Sequence, residues 1–284
     1  MKAVIVQMAP CLGDIKANLD RHLEFLDRAR KDKADLVVFP ELSLTGYSLK
    51  DLVPDAALDA ARSPVFKELL AAGRGMSVVV GFVEERGDER GLFYNSAAFL
   101  ANRKILHIHR KVFLPTVGIF EEGKFFAGGR DFTPFQAPFG KTGLLICRDF
   151  LQYGSSYLLF AGGAEVMIVI SAAPGRGVAG PAGFETSRMW ELMGEAMSYF
   201  STAFVLYCNR AGAEDGLFFA GGSFIYSPKG ERLARASDLD EEVLSCDLDL
   251  ELVRQVRKKW TFKRDERPEI ILHSLERIVR RYED

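Results

Sequence analysis

Residues 143–152 read GLLICRDFLQ. Gly143 to Ile146 are small or apolar and have the composition of a buried strand; Cys147, Arg148 and Asp149 follow, three residues able to carry charge. Cys147 is therefore either the last core residue of a strand or a nucleophile at its tip. Which it is depends on what the other strands end in.

Working outward, KTGLLIC (141–147), AEVMIVIS (164–171) and AFVLYCN (203–209) read as buried strands, separated by helices at about 152–162 and 184–200. The first half repeats the alternation. KAVIVQM (2–8) precedes a helix over about 15–34, where Leu19, Leu23 and Leu26 recur at spacings of three and four. DLVVFPE (35–41) follows, then a helix around 55–72 and MSVVVGFVE (76–84). LFYNSAAFLANRKILHIHRKVF (92–113) reads as a hairpin turning at Ala101-Asn102-Arg103, and GGSFIYSPKGERLAR as another turning at Ser227 to Gly230. Alternating β and α with hairpins between them predicts one α/β domain over residues 1–284, with parallel and antiparallel pairs. The tail over 250–284 is charged and partly helical, with no strand of its own. Its Trp260, Phe262 and the apolar residues of IILHSLERIV need cover, either from a partner subunit or from the same domain.

The composition excludes several classes. A net charge of −2, with 27% charged and 48% hydrophobic residues, is ordinary globular chemistry and no footprint for nucleic acid. No apolar run approaches the roughly 20 residues of a membrane span. MKAVIVQMAPCLGD is too short in its apolar part for a signal peptide and reads as a first strand. Cys11, Cys147, Cys208 and Cys246 are scattered, which fits a reduced, cytoplasmic chain without disulfides or a zinc site. His107 and His109 share a strand face, but His22 and His273 are far away in sequence; packing is the better account than metal. GRGVAG (175–180) matches GxGxxG formally, yet Ala172-Ala173-Pro174 precede it and Pro181 follows, so it reads as a substrate-side loop. No GxSxG elbow is present.

Three polar residues stand at strand ends: Glu41 after DLVVFP, Lys111 after ILHIHR and Cys147 after GLLI. Strand ends in α/β domains are where loops present reactive groups. Taken singly, each has a plain account as a loop acid, a surface lysine or a core cysteine. Together they are chemically coherent. A carboxylate can take the thiol proton and return it to a departing amine. An ammonium favours the thiolate and stabilises the oxyanion of a tetrahedral intermediate.

These residues resemble the nitrilase superfamily of carbon–nitrogen hydrolases. FPELSLTGY (39–47) is similar to its glutamate motif, HRKVFLPTVGIFEEGKFFAGG (109–129) to its lysine motif and LLICRDF (144–150) to its cysteine motif. YNSAAFL (94–100), ISAAPGRG (170–177) and CNRAGAEDGLFFAGGSFIYSPKG (208–230) match in order around them. The resemblance implies a four-layer αββα sandwich with Glu41 as general base, Lys111 as the catalytic lysine and Cys147 as the nucleophile. Many members carry a second glutamate soon after the lysine; Glu122 is placed there, with Glu121 as the alternative or a solvated acidic turn as the plain reading. Tyr47, Phe120, Arg148 and Ser171 are the expected substrate-binding residues. The pocket walls would come from the loops Tyr47–Pro54, Thr116–Phe126 and Ala172–Phe184.

One position departs from the pattern. The glutamine-using branch usually has an acid after the nucleophile, and this chain has Arg148. An arginine there suits a substrate carboxylate, or pairs with Asp149 or another acid. The expected activity is hydrolysis of an amide or carbamoyl amide through a cysteine thioester, with no cofactor and no metal. Alternatives are an N-carbamoyl amino acid amidohydrolase of the β-ureidopropionase type, a nitrilase, or a catalytically silent relative serving as a metabolite-binding protein or scaffold. The expected partner is a small-molecule substrate, and the resemblance implies a homodimer or larger homo-oligomer.

Overall fold

Strand runs in this chain are apolar at consecutive positions because both of their faces are covered. Along Lys2–Gln7, Ala3 and Ile5 join one buried cluster while Val4 and Val6 join another. Leu36–Val38 divides the same way, Leu36 and Val38 against Val37. The computed structural model describes residues 1–177 and 183–283. In chain order its strands are β1 (Lys2–Gln7), β2 (Leu36–Val38), β3 (Ser77–Glu84), β4 (Tyr94–Ala101), β5 (Lys104–Arg110), β6 (Phe135–Ala137) and β7 (Gly140–Ile146). They continue with β8 (Val166–Ser171), β9 (Phe204–Asn209), β10 (Ala211–Glu214), β11 (Leu217–Ala220), β12 (Phe224–Tyr226), β13 (Arg232–Arg235) and β14 (Glu242–Asp247). The helices are α1 (Ile15–Lys31), α2 (Pro64–Ala72), α3 (Glu122–Phe125), α4 (Tyr153–Ala161), α5 (Glu185–Ser201), α6 (Glu251–Lys259), α7 (Phe262–Asp265) and α8 (Pro268–Glu283).

Two six-stranded sheets result, ordered β14-β1-β2-β3-β4-β5 and β13-β12-β9-β8-β7-β6, with β10 and β11 as a separate hairpin. Each has three parallel strands at its centre, β1-β2-β3 and β7-β8-β9, flanked by antiparallel pairs. Their inner faces meet through Ile5, Leu36 and Val38 from one sheet and Leu144, Ile146 and Ile168 from the other. The outer face of the first sheet takes Leu19 and Leu26 of α1 and Phe66 and Leu69 of α2. The second takes Leu159 and Phe160 of α4 and Trp190 of α5. This is the expected αββα sandwich.

The topology also gathers the site. Two antiparallel steps, β3 to β4 and β4 to β5, return β5 to the direction of β3. The segments after β2 and β5 therefore leave the first sheet at the same end, as those after β7 and β8 leave the second.

Several elements differ from expectation. The second helix spans Pro64–Ala72 rather than 55–72, because the Ser63 side chain caps it by accepting from the Val65 amide and Pro64 occupies its first turn. DLVVFPE holds only the short β2; Pro40 has no N–H to continue the ladder. The β10–β11 hairpin, β6 and β14 are strands that the sequence pattern did not mark, being short or half-exposed. The tail divides its two readings. Val253 and Val256 of α6 are buried on the chain's own body, and Arg257 Nε donates to Thr202 Oγ1 at 3.1 Å. In α8, by contrast, Ile270, Leu272, Leu275, Ile278 and Val279 are exposed. GRGVAG lies partly outside the described residues, as do 178–182 of the expected Ala172–Phe184 wall.

Candidate active site

Beyond Ile146 the chain turns abruptly. Cys147 adopts a left-handed conformation, φ 45°, and opens a 3-10 helix over Cys147–Leu151. A non-glycine residue there is strained by about 1–3 kcal/mol and persists only when its surroundings hold it. Asp149 does the holding. Its fully buried carboxylate accepts from the Ile146 amide at 3.2 Å, from the Val112 and Phe113 amides at 3.1 and 3.0 Å, and from His109 Nε2 at 2.8 Å. One side chain thus fixes the residue before the thiol and the two residues after Lys111. Among the described residues Arg148 is half-buried and enters no ion pair; the pairing with Asp149 considered for it is taken by His109 instead. His107 stacks on Phe135 with ring centroids 4.4 Å apart.

Glu41 is fully buried and accepts three hydrogen bonds. Oε1 accepts from Lys111 Nζ and from Asn95 Nδ2, both at 2.7 Å, and Oε2 accepts from the Ala172 amide at 2.6 Å. The backbone is forced to place it so: Leu42 has φ 48°, and β3 passes underneath at Gly81. A Cβ on Gly81 would lie 2.3 Å from the Leu42 nitrogen and 2.6 Å from the Pro40 oxygen.

Lys111 Nζ also donates to Glu122 Oε1 at 2.7 Å, and the same oxygen accepts from the Tyr47 hydroxyl at 2.6 Å. The two candidates for the second glutamate separate here, since Glu121 is exposed and pairs with Lys124. Glu122 Oε2 is buried and has no partner among the described residues. Phe120 packs edge-on against Tyr47, centroids 6.5 Å apart. Ser171 accepts from the Tyr207 hydroxyl at 3.1 Å. The structure thus brings together Glu41, Lys111, Cys147, Glu122, Tyr47 and Ser171. Asn95, Asp149, His109 and Tyr207 join them without having been marked as site residues. The Asn of YNSAAFL and the Asp of CRDF lay inside quoted motifs and were the available signals.

Burial and charge compete throughout. Burial raises Glu122 to about 7, against the pull of Lys111. Burial would drag the Lys111 ammonium down, but Glu122 and Glu41 outweigh it and hold the proton more tightly than usual. Burial, then the Glu41 charge, pushes the Cys147 thiol up to about 12, with Lys111 and Ser171 acting the other way. At neutral pH the thiol keeps its proton, so a partner must remove it as the thiol attacks. Cys147 is 7% exposed. A cavity of about 300 Å³ reaches the cluster from the Glu122 side, with Tyr47, Ser48, Lys50, Phe125 and Leu217 on its walls; Cys147 does not line it.

A family model described as carbon-nitrogen hydrolase matches residues 2–258. The chain is 34% identical over 275 residues to an (R)-stereoselective amidase from Pseudomonas sp, covering 94% of this chain and 92% of that one. A glutamine-dependent NAD(+) synthetase from Acinetobacter baylyi is 30% identical over 253 residues, covering 89% of this chain; the chain spans only 45% of that relative's length. The crystal structure of a carbon-nitrogen hydrolase from Helicobacter pylori G27 superposes with a TM-score of 0.85 at 27% identity, over 97% of this chain and 98% of that one. The chain belongs to the carbon–nitrogen hydrolase family, within the nitrilase superfamily.

Proposed function

We propose that this protein hydrolyses the C–N bond of a small amide or carbamoyl amide through a thioester on Cys147. The observation that carries the reading is the buried Lys111 ammonium held at 2.7 Å from both Glu41 and Glu122, beside a thiol at a strained strand end. Glu41 takes the thiol proton as sulfur attacks the carbonyl carbon. Lys111 and the Arg148 amide stabilise the oxyanion. The intermediate collapses with loss of ammonia or amine, which receives the proton from Glu41. Water then attacks the thioester, Glu41 accepts its proton, and the acid departs as the thiol is restored. The open Oε2 of Glu122 is an acceptor for a substrate N–H. No cofactor enters any step.

An N-carbamoyl amino acid is the second reading. It is favoured by Arg148, half-buried and without an ion pair among the described residues, whose guanidinium suits a carboxylate. The exposed apolar residues of α8 favour a homodimer or larger assembly, which sedimentation would read directly. The function is tested by ammonia release from a panel of amides, carbamoyl amino acids and nitriles, run beside Cys147→Ala. The variant should lose at least about a thousandfold. Equal rates in variant and parent would sink the mechanism.

A further inference from the structure

One buried ion pair takes no part in the steps above. Arg210, fully buried just after β9, donates from Nη1 to Glu214 Oε2 at 2.6 Å. Its guanidinium lies over the Phe219 ring, 4.1 Å from the centroid, and its Nε and Nη2 have no partner among the described residues. Burying such a pair is costly, so its retention asks for a use. Glu214 supplies one. Its Oε1 accepts from two consecutive amides, Tyr47 at 2.9 Å and Ser48 at 2.8 Å. The approach is close enough that a Cβ on Gly46, at φ 79°, would lie 2.8 Å from Glu214 Oε2.

Tyr47 carries the constraint inward. Its ring sits edge-on against Phe219, centroids 5.8 Å apart, and its hydroxyl reaches Glu122 Oε1 at 2.6 Å. The Arg210 backbone reaches the site by a second route, its N–H donating to the Ser171 carbonyl at 3.1 Å.

We infer that the Arg210–Glu214 pair is a positioning device that fixes the Tyr47 loop and, through the Tyr47 hydroxyl, the Glu122 carboxylate. A charged acceptor holds two adjacent backbone donors more firmly than a neutral one. The charged and titratable groups facing Glu122 are Lys111, Glu41 and Tyr47, with Cys147 beyond. The Tyr47 hydrogen bond favours the ionised carboxylate, so a loop that drifts leaves Glu122 holding its proton to higher pH. The inference rests on the amide-hydrolase reading for its substrate assay.

The test compares Glu214→Gln, Tyr47→Phe and the double variant with the parent chain. Ammonia release from acetamide and propionamide is followed across pH, and iodoacetamide labelling of Cys147 is read on its own peptide. Tyr47→Phe should lower kcat/KM by roughly tenfold or more and move the acid limb to higher pH. Glu214→Gln should do the same to a smaller degree, and the double variant should be no worse than Tyr47→Phe alone. Losses that multiply in the double variant overturn the inference. If Glu214→Gln does not fold, Arg210→Lys takes its place in the cycle with the same expectation. A parent that turns over no amide refutes the hydrolase reading instead. The cycle is then read from the labelling rates, where non-multiplying effects support the positioning role and multiplying ones end it.

Discussion

The Asp149 carboxylate and the His109 imidazole lie 2.8 Å apart, both buried, and so join the turn after β7 in one sheet to β5 in the other. Asp149→Asn would turn an NH2 group towards donors that need an acceptor. We expect a loss of about 3 kcal/mol or more, seen as a lower urea midpoint at unchanged m. Stability within about 0.5 kcal/mol of the parent would mean that the tie is dispensable.

Glu122, raised to about 7, loses its charge as pH falls through that value. Lys111 then loses a charged acceptor, and kcat/KM should fall about tenfold per pH unit on the acid side. Glu122→Gln should lower the plateau and remove that limb; an unchanged limb would assign it to another group. Stability runs the opposite way. The folded chain keeps a proton that the unfolded chain has released, so this contribution is full below the ordinary carboxyl value and is lost as pH rises through about 7.

The thiol of Cys147, pushed up to about 12, should label with iodoacetamide about tenfold faster per pH unit near neutrality. Because Glu41 takes the thiol proton as sulfur attacks, Glu41→Gln should slow labelling and ammonia release together. Labelling that speeds up instead would show that the Glu41 charge mainly holds the thiol proton on.

Gly81→Ala would push a methyl group into the backbone of Pro40 to Leu42. We expect on the order of 1–3 kcal/mol of destabilisation and a fall in kcat out of proportion to it, since Glu41 sits on the displaced segment. Denaturant titration and steady-state kinetics separate the two effects, and a full kcat would show that the segment tolerates the shift.

Arg148→Ala should lower kcat/KM roughly 10- to 100-fold for amides that bear a carboxylate and leave neutral amides unchanged. An equal effect on both classes removes the carboxylate role.

Buried strands alternating with helices were legible in continuous apolar runs such as VMIVI (166–170), while the four-layer sandwich came from the family resemblance of the three motifs. Glu41, Lys111 and Cys147 were legible as residues breaking those runs at their ends. What the pattern could not carry was partnership. Asp149 looked like a mate for Arg148 because it is adjacent, whereas the fold brings His109 to it from another sheet. Arg210 and Glu214 stand in a stretch whose hairpin is too short to show alternation, so their hold on the Tyr47 loop appears only in three dimensions. The tail reads in sequence as charged and partly helical with apolar residues in need of cover, but no spacing tells whether those residues are covered.

The pairing of β1 with β14, Lys2 opposite Asp247, also sets a schedule for synthesis. The first strand leaves the ribosome with one edge able to pair with β2 soon afterwards. Its other edge stays open until β14, about 240 residues later, has emerged, which at about 5–20 residues per second is a wait of roughly 10–50 s. During that interval an apolar strand with unpaired backbone groups is available to any other nascent chain.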